Sequence, residues 1–329
     1  MCRRKAEYGG FLPLELNKGH ELFDYIDEAD ISRYNSGTTA LYASIMSLGL
    51  KKVRAPYFYC PSVWAEFNAD RFTEIEFIPY YVDKELLPIV EDFDDSTEGI
   101  ILVNYYGIMD NVIRRYARNK KNIIIDNAQA FFCPPLIQEK TMNVYSCRKF
   151  VGVSDGAYVI GNNQFIPDFE VSSSIDNFGF LYKSIELGTN EVYQENLKSS
   201  DKLNREYMFM SLITRAILKN ADYDNIRHKR VENFRFIHKY MQDYQLFDMR
   251  DYVEHAYCYP LLLKEDLRQK LIDNRIYVPT LWREMIVPEF EGSIEYDMSS
   301  RCLCLPIDQR YDIDDMKYIC DFVIKNMEA

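Results

Sequence analysis

The first half of the chain alternates short apolar runs with segments of helical spacing. The apolar runs are rich in β-branched and aromatic residues, which favour strands. They predict strands at 53–57, 76–82, 99–106, 122–126, 144–147 and 157–161. Between them, apolar residues at three- and four-residue spacing predict helices at 39–48, 62–69 and 111–119. This alternation indicates an α/β fold in which helices cover a mainly parallel sheet.

The second half predicts two longer helices and then a smaller domain. The helices are predicted at 205–219 and 225–243, and the second leads into the smaller domain. There, strands are predicted at 256–263, 276–282 and 301–305, and helices at 265–274 and 313–327. We therefore predict a large domain over residues 1–235 and a small carboxy-terminal α+β domain over residues 236–329.

Composition narrows the class of protein. Of the 329 residues, 47% are hydrophobic and 27% are charged, which is typical of a soluble globular chain. The net charge of -12 disfavours a nucleic-acid partner, and no apolar stretch is long enough to predict a membrane span. The eight cysteines lack the spacing of zinc sites or disulfide scaffolds. We expect reduced thiols, no metal site and a cytoplasmic protein.

The first chemical feature is a hydroxyl-rich turn that opens a predicted helix. It reads Asn-Ser-Gly-Thr-Thr over residues 35–39, with Gly37, Thr38 and Thr39 at its centre. Free backbone amides and the positive helix end attract anions such as phosphate, and glycine permits close approach. The alternative is an ordinary helix N-cap.

The second feature is an aspartate at the end of a strand. Asp126 follows three isoleucines and precedes Gln129 by three residues. Ligands of α/β sheets collect at such strand ends, and a carboxylate there can pair with the nitrogen of a pyridine ring. Gln129 is then a candidate contact for a ring hydroxyl. The alternative for Asp126 is a turn or cap residue.

The third feature is Ser146 followed three residues later by Lys149, on the turn after another strand. A lysine amine can hold pyridoxal phosphate as a Schiff base, and the serine can contact the phosphate. Taken alone, Lys149 reads as an exposed surface residue. The order of a phosphate turn, a strand-end aspartate and a Ser-x-x-Lys turn favours the cofactor interpretation.

These segments in this order resemble the DegT/StrS-type sugar aminotransferases, which are pyridoxal-phosphate enzymes of fold type I. The similar segments cover most of the chain and lie at 36–41, 55–60, 104–107, 126–130, 146–156 and 301–307. The resemblance implies a fold type I large domain, whose mainly parallel sheet is sandwiched by helices, and a small carboxy-terminal domain. The segment from Lys149 to Asp155 is one residue shorter than the family pattern.

The resemblance also implies roles for individual residues. Lys149 would be the Schiff-base lysine and Asp126 the partner of the ring nitrogen, both catalytic. The implied cofactor contacts are Gly37, Thr38, Thr39, Tyr59, Asp126, Gln129, Ser146 and Lys149. Tyr57, Phe58 and Tyr59 all remain candidates for the aromatic ring that stacks on the cofactor.

The activity implied by the resemblance is transamination. Glutamate or glutamine would donate an amine, and a nucleotide-linked keto sugar would accept it. Members of the family are homodimers with shared active sites, and Ser211 and Asn233 are candidates to reach the partner's cofactor. Two alternatives stay open: a pyridoxal-phosphate dehydratase or lyase on the same fold, and a non-catalytic binding or regulatory protein.

Overall fold

The computed structural model describes residues 8–12, 14–162, 165, 167–173, 175, 177–249 and 254–327. Within these ranges, every helix is too short or too polar to span a bilayer.

An eight-stranded sheet forms the centre of the described part of the protein. Its strands are β1 (Ile31–Tyr34), β2 (Lys52–Pro56), β3 (Glu76–Val82), β4 (Pro88–Ile89), β5 (Gly99–Val103), β6 (Ile123–Asp126), β7 (Thr141–Ser146) and β8 (Ala157–Ile160). Their order across the sheet is β1-β8-β7-β6-β5-β2-β3-β4. The five strands β3, β2, β5, β6 and β7 run parallel, and the other three pair antiparallel with their neighbours. The predicted mainly parallel sheet is confirmed.

The central strands are buried along their whole length. Every residue of β5 and of β6 is buried, so their runs of isoleucine, leucine and valine have no side that faces water. Because burial is complete, the alternation of polar and apolar residues that marks an exposed strand is absent here.

The helices of the described chain follow the predicted pattern in its first half. They are α1 (Gly37–Leu48), α2 (Pro61–Phe67), α3 (Asp110–Ala117), α4 (Gly179–Leu187), α5 (Tyr193–Arg205), α6 (Leu212–Leu218), α7 (Tyr223–Met241), α8 (Arg268–Asp273), α9 (Ile294–Arg301) and α10 (Ile313–Met327). α1 packs against β6, β7 and β8, which fixes its start relative to the strand ends.

A small antiparallel pair forms a second sheet near the carboxyl end of the chain. It contains β9 (Tyr259–Leu262) and β10 (Cys302–Leu305), with Leu261 opposite Leu303. α10 packs on α7, and α7 runs through the predicted boundary between residues 235 and 236. The buried residues of this region belong to the same apolar core as the central sheet. The division into two domains stays a prediction.

Two predicted elements are wrong. The helix predicted at 205–219 is interrupted, because Phe209 forms β-bridges with Tyr34 and Val171 before α6 begins. The strand predicted at 276–282 does not form: the amide of Ile276 donates back to the carbonyl of Leu271, and residues 276–282 belong to no strand.

A buried carboxylate ties the amino-terminal segment to the sheet. Glu21 accepts hydrogen bonds from Arg33 Nε at 2.6 Å, Arg215 Nε at 2.7 Å and the hydroxyl of Tyr158 at 3.0 Å. Its side chain is 0% exposed. Burial opposes the ionisation of Glu21, but the hydrogen bonds and charges of the two arginines outweigh burial and lower its pKa.

We expect Glu21→Gln to lower the free energy of unfolding by about 3 kcal/mol at neutral pH, because it breaks a buried ion pair and leaves Arg33 without that charge. Urea denaturation measures this difference. Since the pKa of Glu21 is lower in the folded chain, its contribution is present above the ordinary glutamate value of 4.5 and is lost as the pH falls through the folded pKa.

The matched control is Glu28→Gln, which removes a second carboxylate that contacts Arg33. Glu28 is 71% exposed, so its loss should cost less than about 1 kcal/mol. Equal losses for the two variants, or a Glu21 effect that does not shrink in acid, would contradict the assignment.

Candidate active site

Two of the predicted residues lie at the carboxyl ends of adjacent parallel strands. Asp126 is the last residue of β6, and Ser146 is the last residue of β7. Asp126 is opposite Val144 in the ladder, and the turn that contains Lys149 follows Ser146 directly. Ligands of α/β sheets bind beyond such ends, so this edge is the natural position for a cofactor.

The start of α1 lies at the same edge of the sheet. Tyr34 of β1 pairs with Ala157 of β8, and Ala157 also pairs with Ser146 of β7. The amide of Gly156 donates to the carbonyl of Asn35 at 2.6 Å. The antiparallel strands β1 and β8 thereby bring the helix start beside the end of β7.

Hydroxyl groups hold the first turn of α1 in place. Ser36 is the N-cap, and its Oγ accepts a hydrogen bond from the amide of Thr39 at 3.1 Å. The hydroxyl of Thr39 donates to Asn35 Oδ1 at 2.7 Å. The ordinary N-cap is therefore present, and both donors of Thr39 are used inside the turn.

The other two residues of this turn differ in their surroundings. A side chain added at Gly37 would meet nothing within 4 Å, so the space in front of the helix start is open. Thr38 is buried, and its hydroxyl donates to Asn204 Oδ1 of α5 at a long 3.3 Å. An open space at the positive end of a helix suits an anion.

Asp126 is a buried carboxylate that has only neutral hydrogen-bond partners among the described residues. The residue is only 6% exposed. Oδ2 accepts from the hydroxyl of Tyr59 at 2.5 Å, and Oδ1 accepts from the amide of Ala128 at 2.8 Å. Burial and the neighbouring carboxylate raise the pKa of Tyr59 well above its ordinary value, so the phenol stays neutral and donates.

Of the three aromatic candidates, only Tyr59 is hydrogen-bonded to a predicted site residue. Tyr57 packs against Tyr81 and Phe290. Phe58 is fully buried and packs edge-on against Trp282. Sequence reasoning left the choice open because three consecutive aromatics carry no signal of which one turns toward the strand ends.

Gln129 braces the loop that follows β5. Its Oε1 accepts a hydrogen bond from the amide of Tyr106 at 2.6 Å. The next residue, Gly107, has a φ of 75°, and a Cβ there would clash with the carbonyl oxygens of Gln129 and His255. Only glycine fits this position. The side-chain oxygen of Gln129 thus has a structural partner, and its contact with a ring hydroxyl stays a prediction.

Lys149 is exposed on a one-turn helix after β7. Its amine lies 5.8 Å from the centre of the Tyr257 ring, and no carboxylate pairs with it in the described part of the chain. Ser146, three residues earlier, is half-buried. The lysine is therefore held by its backbone turn, and its amine is left available for chemistry.

Arg148 is oriented differently from the lysine beside it. Its Nη2 donates to Ser200 Oγ of α5 at 2.8 Å. Burial lowers the pKa of Arg148, while the charge of Asp155 opposes that shift. The adjacent pair Arg148 and Lys149 is thus not a simple exposed basic surface, which was the alternative interpretation of the sequence.

Arg230 of α7 is a residue that sequence reasoning missed. It is 4% exposed, and burial lowers its pKa to about 10. Its guanidinium donates to the carbonyl of Tyr257 at 3.1 Å and to that of Lys149 at 3.4 Å. The available signal was its position: Arg230 occupies the apolar stripe between Ile226 and Phe234, four residues from each.

The residues proposed to reach a partner subunit are buried within this one. Ser211 donates to Asp155 through its amide at 2.8 Å and its hydroxyl at 2.7 Å, and Thr214 also donates to Asp155. Asn233 is 0% exposed and donates to backbone carbonyls, including that of Ile307 at 3.2 Å. Neither Ser211 nor Asn233 reaches a surface. Asp155 instead anchors the segment that follows Lys149.

No protein-family model matches the chain, and no similar sequence was found among curated proteins. Solved structures do match. DesV of S. venezuelae, in complex with a ketimine intermediate, gives a TM-score of 0.61 at 16% identity and covers 95% of this chain and 91% of that one. A DegT DnrJ EryC1 StrS aminotransferase from Brucella abortus gives 0.56 at 14% identity, with 90% and 85% covered.

A third match is a different enzyme type. GDP-4-keto-6-deoxy-D-mannose-3-dehydratase of E. coli, with bound hydrated PLP, gives a TM-score of 0.59 at 13% identity and covers 92% of both chains. At these identities the likeness shows the fold. This chain has the fold type I architecture of the DegT/StrS-type sugar enzymes, as its sequence motifs predict.

Proposed function

We propose that this protein is a pyridoxal-phosphate-dependent aminotransferase that moves an amine from glutamate or glutamine to a nucleotide-linked keto sugar. The observation that carries the proposal is Asp126. It is a buried carboxylate with neutral donors only, at a strand end beside the turn of Lys149. Burying a charge without a counter-charge costs free energy. Such a carboxylate suits a site where a bound ligand supplies the counter-charge.

The described residues fit the cofactor. A protonated pyridine nitrogen supplies the cation that Asp126 lacks, and a carboxylate oxygen that accepts one hydrogen bond can accept a second. The open start of α1 at Gly37 suits the phosphate, together with Thr38 and Ser146, whereas Thr39 already uses both of its donors inside the turn. When bound, the cofactor supplies an electron sink for bonds at the carbon that carries the amine.

The residues of this chain would act as follows. Lys149 would bond to the cofactor's aldehyde and, once released by the substrate amine, would carry a proton to and from the substrate carbon through Nζ. Asp126 would hold the ring nitrogen protonated. Tyr59 would fix the orientation of that carboxylate, and Gln129 would contact the ring hydroxyl.

The dehydratase alternative is kept because a sugar dehydratase is among the matching structures. Sugar dehydratases of the resembled family replace the lysine with histidine, and this chain has Lys149, which favours amine transfer. An assay that follows amine transfer to nucleotide keto sugars, against loss of water from the same sugars, separates the two. Protein that binds no cofactor would support a non-catalytic role.

An exposed apolar surface supports the proposal of a homodimer with shared sites. On α4, Tyr182, Ile185 and Leu187 are exposed, and on α5 Tyr193 and Leu197 are exposed. An ion pair between Lys183 and Glu195 at 2.8 Å holds the two helices beside each other. Large exposed apolar patches mark interaction surfaces. α5 also receives Arg148 from the lysine turn, so a second copy seated on this surface would lie next to the site.

Replacing Lys149 by alanine should lower turnover by about 10³-fold or more and abolish cofactor that borohydride can trap, because no other group would bond the aldehyde. Absorbance of the purified protein and a transamination assay measure both effects. Lys84→Ala, at an exposed lysine between β3 and β4, is the control and should leave both unchanged. A fully active Lys149 variant would refute the assignment.

Replacing Tyr59 by phenylalanine should increase the thermal stabilisation that added pyridoxal phosphate gives. Without cofactor the variant leaves Asp126 Oδ2 short of a donor, at a cost of about 1–3 kcal/mol, whereas the bound ring nitrogen would restore a donor. Melting curves with and without cofactor measure this. Asp126→Asn should reduce the stabilisation instead, and identical shifts in all three proteins would argue against cofactor contact with Asp126.

Replacing Ile185 by glutamate should shift the protein from dimer to monomer, because it places a charge in the apolar surface of α4. Light scattering after gel filtration gives the mass. Ile137→Glu is the matched control: Ile137 is 66% exposed but follows β6 in a loop remote in sequence from α4 and α5. We expect the Ile137→Glu variant to remain a dimer and the Ile185→Glu variant to become a monomer. If both variants remain dimers, this surface does not form the dimer.

A further inference from the structure

Three potential metal ligands meet outside the candidate active site. They are Asp110 in the first turn of α3, Cys133 in the loop after β6, and His255 in the segment before β9. One ligand atom from each lies within 4.8 Å of the other two. None of the three has a role in the proposed amine transfer.

The hydrogen bonds of this cluster leave lone pairs unused. Cys133 Sγ donates to Asp110 Oδ1 at 3.0 Å, and Arg114 Nε donates to the same oxygen at 2.7 Å. Asp110 Oδ2 has no hydrogen-bond partner among the described residues. His255 Nδ1 is buried and also lacks a partner there. Buried ring nitrogens are nearly always hydrogen-bonded or metal-bound, so this one calls for an explanation.

We propose that Asp110, Cys133 and His255 bind a divalent transition metal ion, and that the ion is zinc. A thiolate, an imidazole and a carboxylate together are donors that zinc prefers, whereas magnesium and calcium take oxygen donors. Zinc is commonly four-coordinate. Because Asp110 and His255 are only half-buried, water can occupy the fourth position.

The binding of zinc by these three residues conserves charge and protons. The Cys133 thiol exchanges its proton for the metal, and the proton leaves to solvent. The thiolate and the carboxylate then match the two positive charges of zinc. Arg114 can keep its bond to Asp110 Oδ1, because Oδ2 is available for the metal.

The metal would tie a segment of the active site to the large sheet. The carbonyl of His255 lies against Gly107, and the amide of Tyr257 donates to the carbonyl of Tyr106 at 2.8 Å. The Tyr257 ring faces the amine of Lys149. A zinc ion at His255 would therefore clamp the backbone that positions Tyr257, without contacting the reacting groups.

The test uses the full chain with its cofactor. The protein is dialysed against low micromolar zinc, and bound zinc is measured by inductively coupled plasma mass spectrometry. We expect stoichiometric zinc in the natural chain, and binding at least about a hundredfold weaker in Cys133→Ser and in His255→Ala. Cys60→Ser and His238→Ala, at a half-buried cysteine and a histidine outside the cluster, should bind as the natural chain does.

A second measurement does not depend on the folding of the variants. Zinc should raise the melting temperature of the natural chain, a chelator should reverse the rise, and Asp110→Asn should diminish it. Zinc-free protein after dialysis, or equal zinc in the cluster variants and the controls, overturns the proposal. The cofactor content is measured separately, from the absorbance of the bound cofactor. Absence of zinc binding can therefore be distinguished from failure of the proposed function.

Discussion

The candidate site depends on the parallel pairing of β6 with β7. In a parallel ladder both strands end at the same edge, so the pairing of Asp126 with Val144 puts the carboxylate beside the turn of Lys149. A slip of one residue would turn Asp126 to the opposite face of the sheet. The three isoleucines before it, all buried, make that slip unfavourable. The apolar core therefore sets the position of the polar group.

Two buried ionisable side chains, Asp126 and Arg230, flank the lysine turn, and each has only uncharged hydrogen-bond partners among the described residues. Asp126 receives a phenol and an amide, and Arg230 donates to backbone carbonyls while its Nε has no partner. The charge of Asp308 partly offsets the burial of Arg230, whereas the hydrogen-bond partners of Asp126 include no counter-charge, so less of its desolvation is offset. Such departures from the rules of stable packing concentrate where proteins bind ligands.

The sequence predicted the sheet well because its strands are short, apolar and separated by helical spacing. It also singled out three segments that the fold brings to one edge of the sheet, since each carries its polar residues close together in the chain. The prediction from sequence failed where contacts between distant segments determine the local structure. Phe209 bridges to two distant segments instead of continuing a helix. β1 was missed because it is a strand of four residues whose partners, β8 and Phe209, are distant in the sequence. The cluster of Asp110, Cys133 and His255 has no sequence spacing to recognise, since the fold alone brings these residues together.

Arg230 has a mechanical consequence. One rigid guanidinium on α7 holds the backbone of the lysine turn and the backbone at residues 256 and 257 at once. Gln309, which precedes α10, adds a bond to the carbonyl of Phe150 at 3.0 Å. The lysine turn is thus fastened to the carboxy-terminal elements as well as to its own strand. Any rocking of those elements against the sheet would pull on the backbone of Lys149, so a hinge motion in this protein would move the lysine amine relative to the strand ends.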